Sequence, residues 1–137
     1  MRLVVDANVL FSALIKAGAT RKVLLLSKHD LYAPEFMFEE FKKHLLELQK
    51  KTLLPREELV QNLETLLQLA EIKLVPFEEF KHKKELAAKV SPDKGDIAYL
   101  ALALHLQCPL WSQDKQLKKQ NKVKTITTKE LLGQDSP

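Results

Sequence analysis

The chain has 137 residues, 45% of them hydrophobic, and 22 Lys+Arg against 18 Asp+Glu give it a formal net charge of +4. That length fits one domain with a single core and excludes two ordinary ones, and no apolar run approaches the ~20 residues that span a bilayer. One cysteine, Cys108, excludes an intrachain disulfide, and without CxxC or HExxH motifs a structural zinc site is not expected.

Arg2 to Val5 is a short β-branched run suited to a buried strand, and Asp6 to Asn8 turn it into an apolar helix through about Lys16. With no secreted disulfide framework a cytoplasmic address is expected, and Asp6 interrupts what would otherwise resemble a signal-peptide core. Residues 20 to 28 read as a second helix and Leu31 to Ala33 as a strand. Pro34 stands at the first position of a helix running to about Lys51, and Pro55 opens another to about Leu69. Ile72 to Val75 is a β-type run closed by Pro76, and residues 78 to 89 form a charged helix. Ser91-Pro92 leads into a helix beginning near Asp93. Leu110 to Ser112 is a strand, Asp114 begins a short basic helix, and Val123 to Ile126 is the last strand. Thr127 or Thr128 caps a final turn that stops at Gly133, leaving 134 to 137 as a frayed tail. Strands alternating with helices imply a parallel sheet covered on both faces, with ligands beyond the carboxyl ends of its strands.

Acidic residues recur at that edge. Asp6 follows three apolar residues and sits at the lip of the sheet, where a helix N-cap is the plainer reading. Phe38, Phe41, Leu45 and Leu48 define the buried face of the third helix; at 100° per residue Glu39 points away from it while Glu40 lies at its edge. Glu40 is the candidate, with a pair to Lys43 or His44 as the alternative. Asp93 and Asp96 share a face with Ile97, Leu100 and Leu104; capping explains Asp93 well and Asp96 less well. Asp114 stands two residues after Ser112 at another strand-to-helix junction. Two unit charges ~4 Å apart repel by ~4 kcal/mol at an effective dielectric near 20, so carboxylates gathered this way call for a cation. Hard oxygen donors without a cysteine or histidine cluster select Mg²⁺ or Mn²⁺ over zinc. His29, His44, His82 and His105 read as surface or helix-boundary residues, with His44 one turn from Glu40, and Cys108 as a small buried hydrophobe.

VVDANVLFSAL, EEF, DKGDIAYLALAL and LWSQDKQL, in this order, resemble the four motifs of the PIN domain family, the nuclease fold of VapC-type toxins and related archaeal and bacterial proteins. The resemblance covers nearly the whole chain; the third and fourth motifs are the specific ones. It implies a three-layer α/β/α sandwich around a parallel sheet of four to five strands, in a single domain over residues 1–133. It also implies an endoribonuclease that hydrolyses single-stranded RNA with Mg²⁺ or Mn²⁺, leaving 5′-phosphate and 3′-hydroxyl ends. Carried over by position, Asp6, Glu40, Asp96 and Asp114 form the catalytic metal pocket, with Asp93 as an accessory acid that ligates or caps. Asp6 and Asp96 are expected to be direct ligands. Asp114 completes the shell, directly or through water, and Glu40 holds the attacking water or a second ion. Asn8 and Ser112 orient the acids by hydrogen bonds, while Lys43, Lys115, Lys118 and Lys119 are candidate contacts to the RNA backbone. An antitoxin protein is the partner expected of a toxin. Val23, Leu24, Leu66 and Leu67 suit either a homodimer interface or the core.

Nineteen of the bases are lysines scattered along the chain, which suits a polyanionic partner or simply a solvated surface. A haloacid-dehalogenase-like phosphatase needs a second Asp where Asn8 stands, and the paired acids of a response-regulator receiver are missing. The stronger rival is a PIN-like module that binds RNA or protein without cutting.

Overall fold

The computed structural model describes residues 1–135, with side chains through residue 133. Five short runs form strands: β1 (Arg2–Val5), β2 (Asp30–Pro34), β3 (Lys73–Val75), β4 (Leu110–Trp111) and β5 (Thr125–Ile126). They make one sheet in the order β3-β2-β1-β4-β5, with every neighbouring pair parallel. Leu3, Val4 and Val5 are all buried, as a central strand covered on both faces requires.

Helices cover both faces. On one side α1 (Ala7–Ile15) packs against α2 (Ala19–Leu26), α3 (Met37–Lys43), α4 (Leu45–Thr52) and α5 (Arg56–Leu69), and α2 meets α9 (Thr128–Asp135). On the other, α8 (Ile97–Leu106) lies against β1, β2 and β4 and is flanked by α6 (Phe77–Phe80) and α7 (Lys84–Val90). Val23, Leu24, Leu66 and Leu67 are buried within the chain, so they belong to its core and not to a surface for a second copy.

Several boundaries differ from the sequence reading. Pro34 closes β2 instead of opening a helix. β1 stops pairing at Val4 opposite Tyr32, so no donor is needed from position 34, and Glu35 N–H resumes the ladder to Val75 O at 3.0 Å. The helix expected from there to Lys51 starts at Met37 and breaks at His44 (φ −98°, ψ 7°) into α3 and α4. The charged helix at 78 to 89 is interrupted by a 3₁₀ turn at Lys81–Lys83, although Lys81 pairs with Glu78 at 2.7 Å. Lys115–Lys119 is likewise 3₁₀. Thr127 and Glu130 exchange backbone-to-side-chain bonds in a capping box (both 3.2 Å), and α9 runs through Gly133 to Asp135. The tail expected to fray lies, at residues 136 and 137, outside the described residues.

The chain winds outward from β1 to β2 and β3, then returns to β4 on the opposite side of β1. The carboxyl ends of β1 and β4 therefore flank a topological switch point, the crevice where open α/β sheets hold ligands.

Candidate active site

Asp6 leaves β1 at that crevice. Its backbone N–H donates to Trp111 O at 3.0 Å, which fixes it beside the end of β4, and its side chain is 4% exposed. Ser112, 0% exposed, donates its hydroxyl to Asp6 Oδ2 at 2.7 Å and accepts the Asp114 N–H at 3.1 Å. One hydroxyl thus joins acids from the two strand ends. Trp111, fully buried, anchors this junction by donating Nε1–H to Thr128 Oγ1 at 3.1 Å. Asp114 accepts Gln116 N–H at 2.9 Å through Oδ1, so it is also the cap that its position suggests.

Asp93 caps the 3₁₀ turn Lys94–Asp96 through Gly95 N–H at 3.2 Å and is exposed. Asp96, at the head of α8, is half-buried, and its Oδ2 is enclosed with no hydrogen-bond partner among the described residues. Burial, and then the charges of Asp6, Asp114, Asp93 and Glu40, push its carboxyl up to about 7. Burial also raises Asp6, against the hydrogen bond from Ser112, with the Asp114 charge adding to the rise. Glu39 is exposed, whereas Glu40 is half-buried and accepts the Tyr99 hydroxyl at 2.5 Å. Burial raises Glu40, Tyr99 opposes that rise, and the charge of Asp6 adds to it. The four acids thus belong to one electrostatic field although they come from four separate segments.

A sequence model of the PIN domain matches residues 4–134. The chain belongs to the PIN domain family. Among solved structures it is similar to PAE2754 from Pyrobaculum aerophilum, with a TM-score of 0.71 and 16% identity over 98% of this chain and 88% of that one. It is also similar to VapBC2 from Rickettsia felis, solved bound to a DNA fragment from their promoter. There the TM-score is 0.68, with 14% identity over 93% of this chain and 98% of that one. At these identities the likeness is one of fold. No curated protein sequence matches the chain significantly.

The acids of this PIN domain suit a hard divalent cation. All the donors are carboxylate oxygens, Asp96 Oδ2 lacks a partner, and burial and mutual repulsion oppose ionisation of Asp6, Glu40 and Asp96. No three His, Cys, Asp or Glu side chains among the described residues close a metal cage by themselves.

The PIN domain places other expected residues less simply. Asn8 was expected to orient the acids through its side chain. That side chain is exposed and bonds to no acid among the described residues; the Asn8 and Ala7 backbone N–H groups favour the Asp6 charge instead. Lys43, Lys115 and Lys119 are exposed, and Lys43 lies near enough to favour the Glu40 charge. Lys118 is committed to Glu130 at 2.5 Å, which weakens its case as an RNA contact. Burial pushes the Cys108 thiol up, away from nucleophilic use.

Tyr99 is the residue that sequence reasoning missed. Its signal was a phenol one turn beyond Asp96, in a stripe too apolar to satisfy a hydroxyl. Tyr99→Phe should destabilise the protein by about 1.5–3 kcal/mol at pH 8, and by less at pH 5, because the lost bond favours ionised Glu40. Urea unfolding at the two pH values measures this; an equal loss at both would show that packing alone is at stake.

Proposed function

We propose that this PIN domain is a Mg²⁺- or Mn²⁺-dependent endoribonuclease that hydrolyses single-stranded RNA. The carrying observation is the convergence of Asp6, Glu40, Asp96 and Asp114 at the switch point, with one buried carboxylate oxygen left unsatisfied. Asp6 and Asp96 would hold the cation, Asp114 would complete its shell, and Asp93 would add charge from its capping position. When bound, the cation supplies Lewis-acid charge that lowers the pKa of water and offsets charge developing on the phosphate.

The chain's own groups do the positioning. Ser112 locks the Asp6 carboxylate and the start of the Asp114 turn in one arrangement. Glu40, fixed by Tyr99, faces the same field and is the group to orient an attacking water. Lys43, Lys115 and Lys119 would hold backbone phosphates, contacts that position a strand without reading its sequence.

Labelled single-stranded RNA should be degraded in Mn²⁺ and left intact in EDTA, with 5′-phosphate ends on the products. RNA bound but uncut in Mn²⁺ would establish the second reading, a non-cleaving RNA- or protein-binding module. The VapBC2 resemblance supports an antitoxin partner; a small reading frame directly upstream of the gene is the sign to look for. A homodimer would have to use surfaces other than Val23, Leu24, Leu66 and Leu67, which are buried in the core.

A further inference from the structure

We propose that the groove between α1 and α4 is a nucleobase subsite selective for guanine, which reads the nucleotide flanking the scissile phosphate. The position relative to the scissile bond rests on the nuclease reading; the base selectivity does not.

The groove has a volume of about 400 Å³, within the range of small-ligand sites. Asn8, Phe11 and Ser12 line it from α1, and His44, Glu47 and Lys51 from the other side. The remainder of α1 is almost wholly buried, yet Asn8 and Ser12, one turn apart, are both exposed. Across from them His44, Glu47 and Lys51 recur at helical spacing, so polar edges of two packed helices face one another across the groove. The ring centroids of Phe11 and His44 are 5.7 Å apart and tilted by 55°, and the His44 side chain is 46% exposed. An exposed ring backed by a second aromatic, beside amide and hydroxyl groups, is what a flat heterocycle with a hydrogen-bonding edge requires.

None of the four acids lines the groove, but two of its lining residues follow acids closely in the chain. Asn8 is two residues from Asp6 and directs its backbone N–H toward that carboxylate, and the His44 N–H donates to Glu40 O at 3.0 Å. A strand whose phosphate lies over the carboxylates therefore brings the adjacent base to Asn8 and His44. Lys16, on the groove wall, is placed for the next phosphate.

Glu47 determines which base. Its carboxylate is held by Lys51 Nζ at 2.8 Å and stands 3.5 Å from His44 Nδ1, and as an ion it can only accept hydrogen bonds. Guanine alone offers two adjacent donors, N1–H and the N2 amino group, on its Watson–Crick edge. Adenine, cytosine and uracil each set an acceptor beside the donor, opposite the anionic oxygens.

Two measurements on the full chain test this. Isotope-labelled protein in EDTA is titrated with guanosine, adenosine, cytidine and uridine 5′-monophosphate while its amide signals are followed. Guanosine monophosphate should shift Asn8, Ser12, His44 and Glu47 and bind about tenfold more tightly than uridine monophosphate; Glu47→Gln should remove that advantage. Random-sequence RNA cut in Mn²⁺ should be enriched about tenfold for guanosine over uridine beside the break, and Glu47→Gln should flatten the preference. Equal binding of the four nucleotides, shifts confined to other surfaces, or an undiminished preference in Glu47→Gln would overturn the subsite. Selective binding without any cleavage supports the subsite and overturns only the nuclease reading; cleavage without base preference does the reverse.

Discussion

Asp6→Asn should lower Mn²⁺-dependent cleavage of single-stranded RNA by about 10³-fold or more, equivalent to ~4 kcal/mol of barrier, while leaving the fold intact. The two parts of that expectation have separate causes. Asn keeps the shape of Asp and can still accept the Ser112 hydroxyl, which approaches Asp6 Oδ2 at 2.7 Å. It removes the one acid of the set whose side chain is almost wholly enclosed, and with it the charge at the centre of the field shared by Glu40, Asp96 and Asp114. Since burial already opposes that charge, the variant should melt no lower than the wild type without divalent ions. Cleavage by Asp6→Asn at the wild-type rate in Mn²⁺ would sink the metal-site assignment; unfolding of the variant would show that Asp6 is structural.

The second large effect is on stability. The Asp96 carboxyl is raised from the ordinary 3.8 to about 7 in the folded chain. Between those values the native state keeps a proton that the unfolded chain releases, so stability falls as pH rises from about 4 to about 7 and the penalty is complete above 7. A displacement of this size is worth about 4 kcal/mol for a fully shielded carboxyl and less for the half-buried Asp96, whose charge solvent screens in part; the upward shifts of Asp6 and Glu40 act in the same direction. In EDTA the protein should melt about 5–15 °C lower at pH 8 than at pH 5. Mn²⁺ should recover most of that loss at pH 8 and little at pH 5, where protons compete for the oxygens. Asp96→Asn should raise the melting temperature in EDTA at pH 8 and flatten both dependences. A wild-type protein that melts at the same temperature at both pH values, or gains nothing from Mn²⁺ at pH 8, would contradict this account.

Much of the fold was legible because β1 to β5 are short, apolar or β-branched and separated by amphipathic stretches. Their alternation alone implied a parallel sheet with its ligands at one edge. The distinction between Glu39 and Glu40 was accessible to helical geometry, since four apolar residues define the face against which each acid is measured. The less legible features depend on partners remote in sequence. Tyr99 reads as one more core residue until Glu40, 59 positions earlier, is brought against it. Lys118 reads as free until Glu130 closes on it. Asn8 was assigned a side-chain role because it sits beside Asp6, but a residue entering a helix also turns its backbone N–H toward the preceding carboxylate, and that is the contact here. The break at His44 has no glycine or proline to announce it, and a single change of backbone angles there divides α3 from α4.

The pairing of β1 with β4 also imposes an order in time. Asp6 is made before the group that holds its carboxylate, the hydroxyl of Ser112, 106 residues later. A nascent chain released before that point has β1 without one of its two neighbours and Asp6 without its clamp. The acids at the ends of β1 and β4 therefore reach their shared arrangement only once both strands have been synthesised, however early β1 is made.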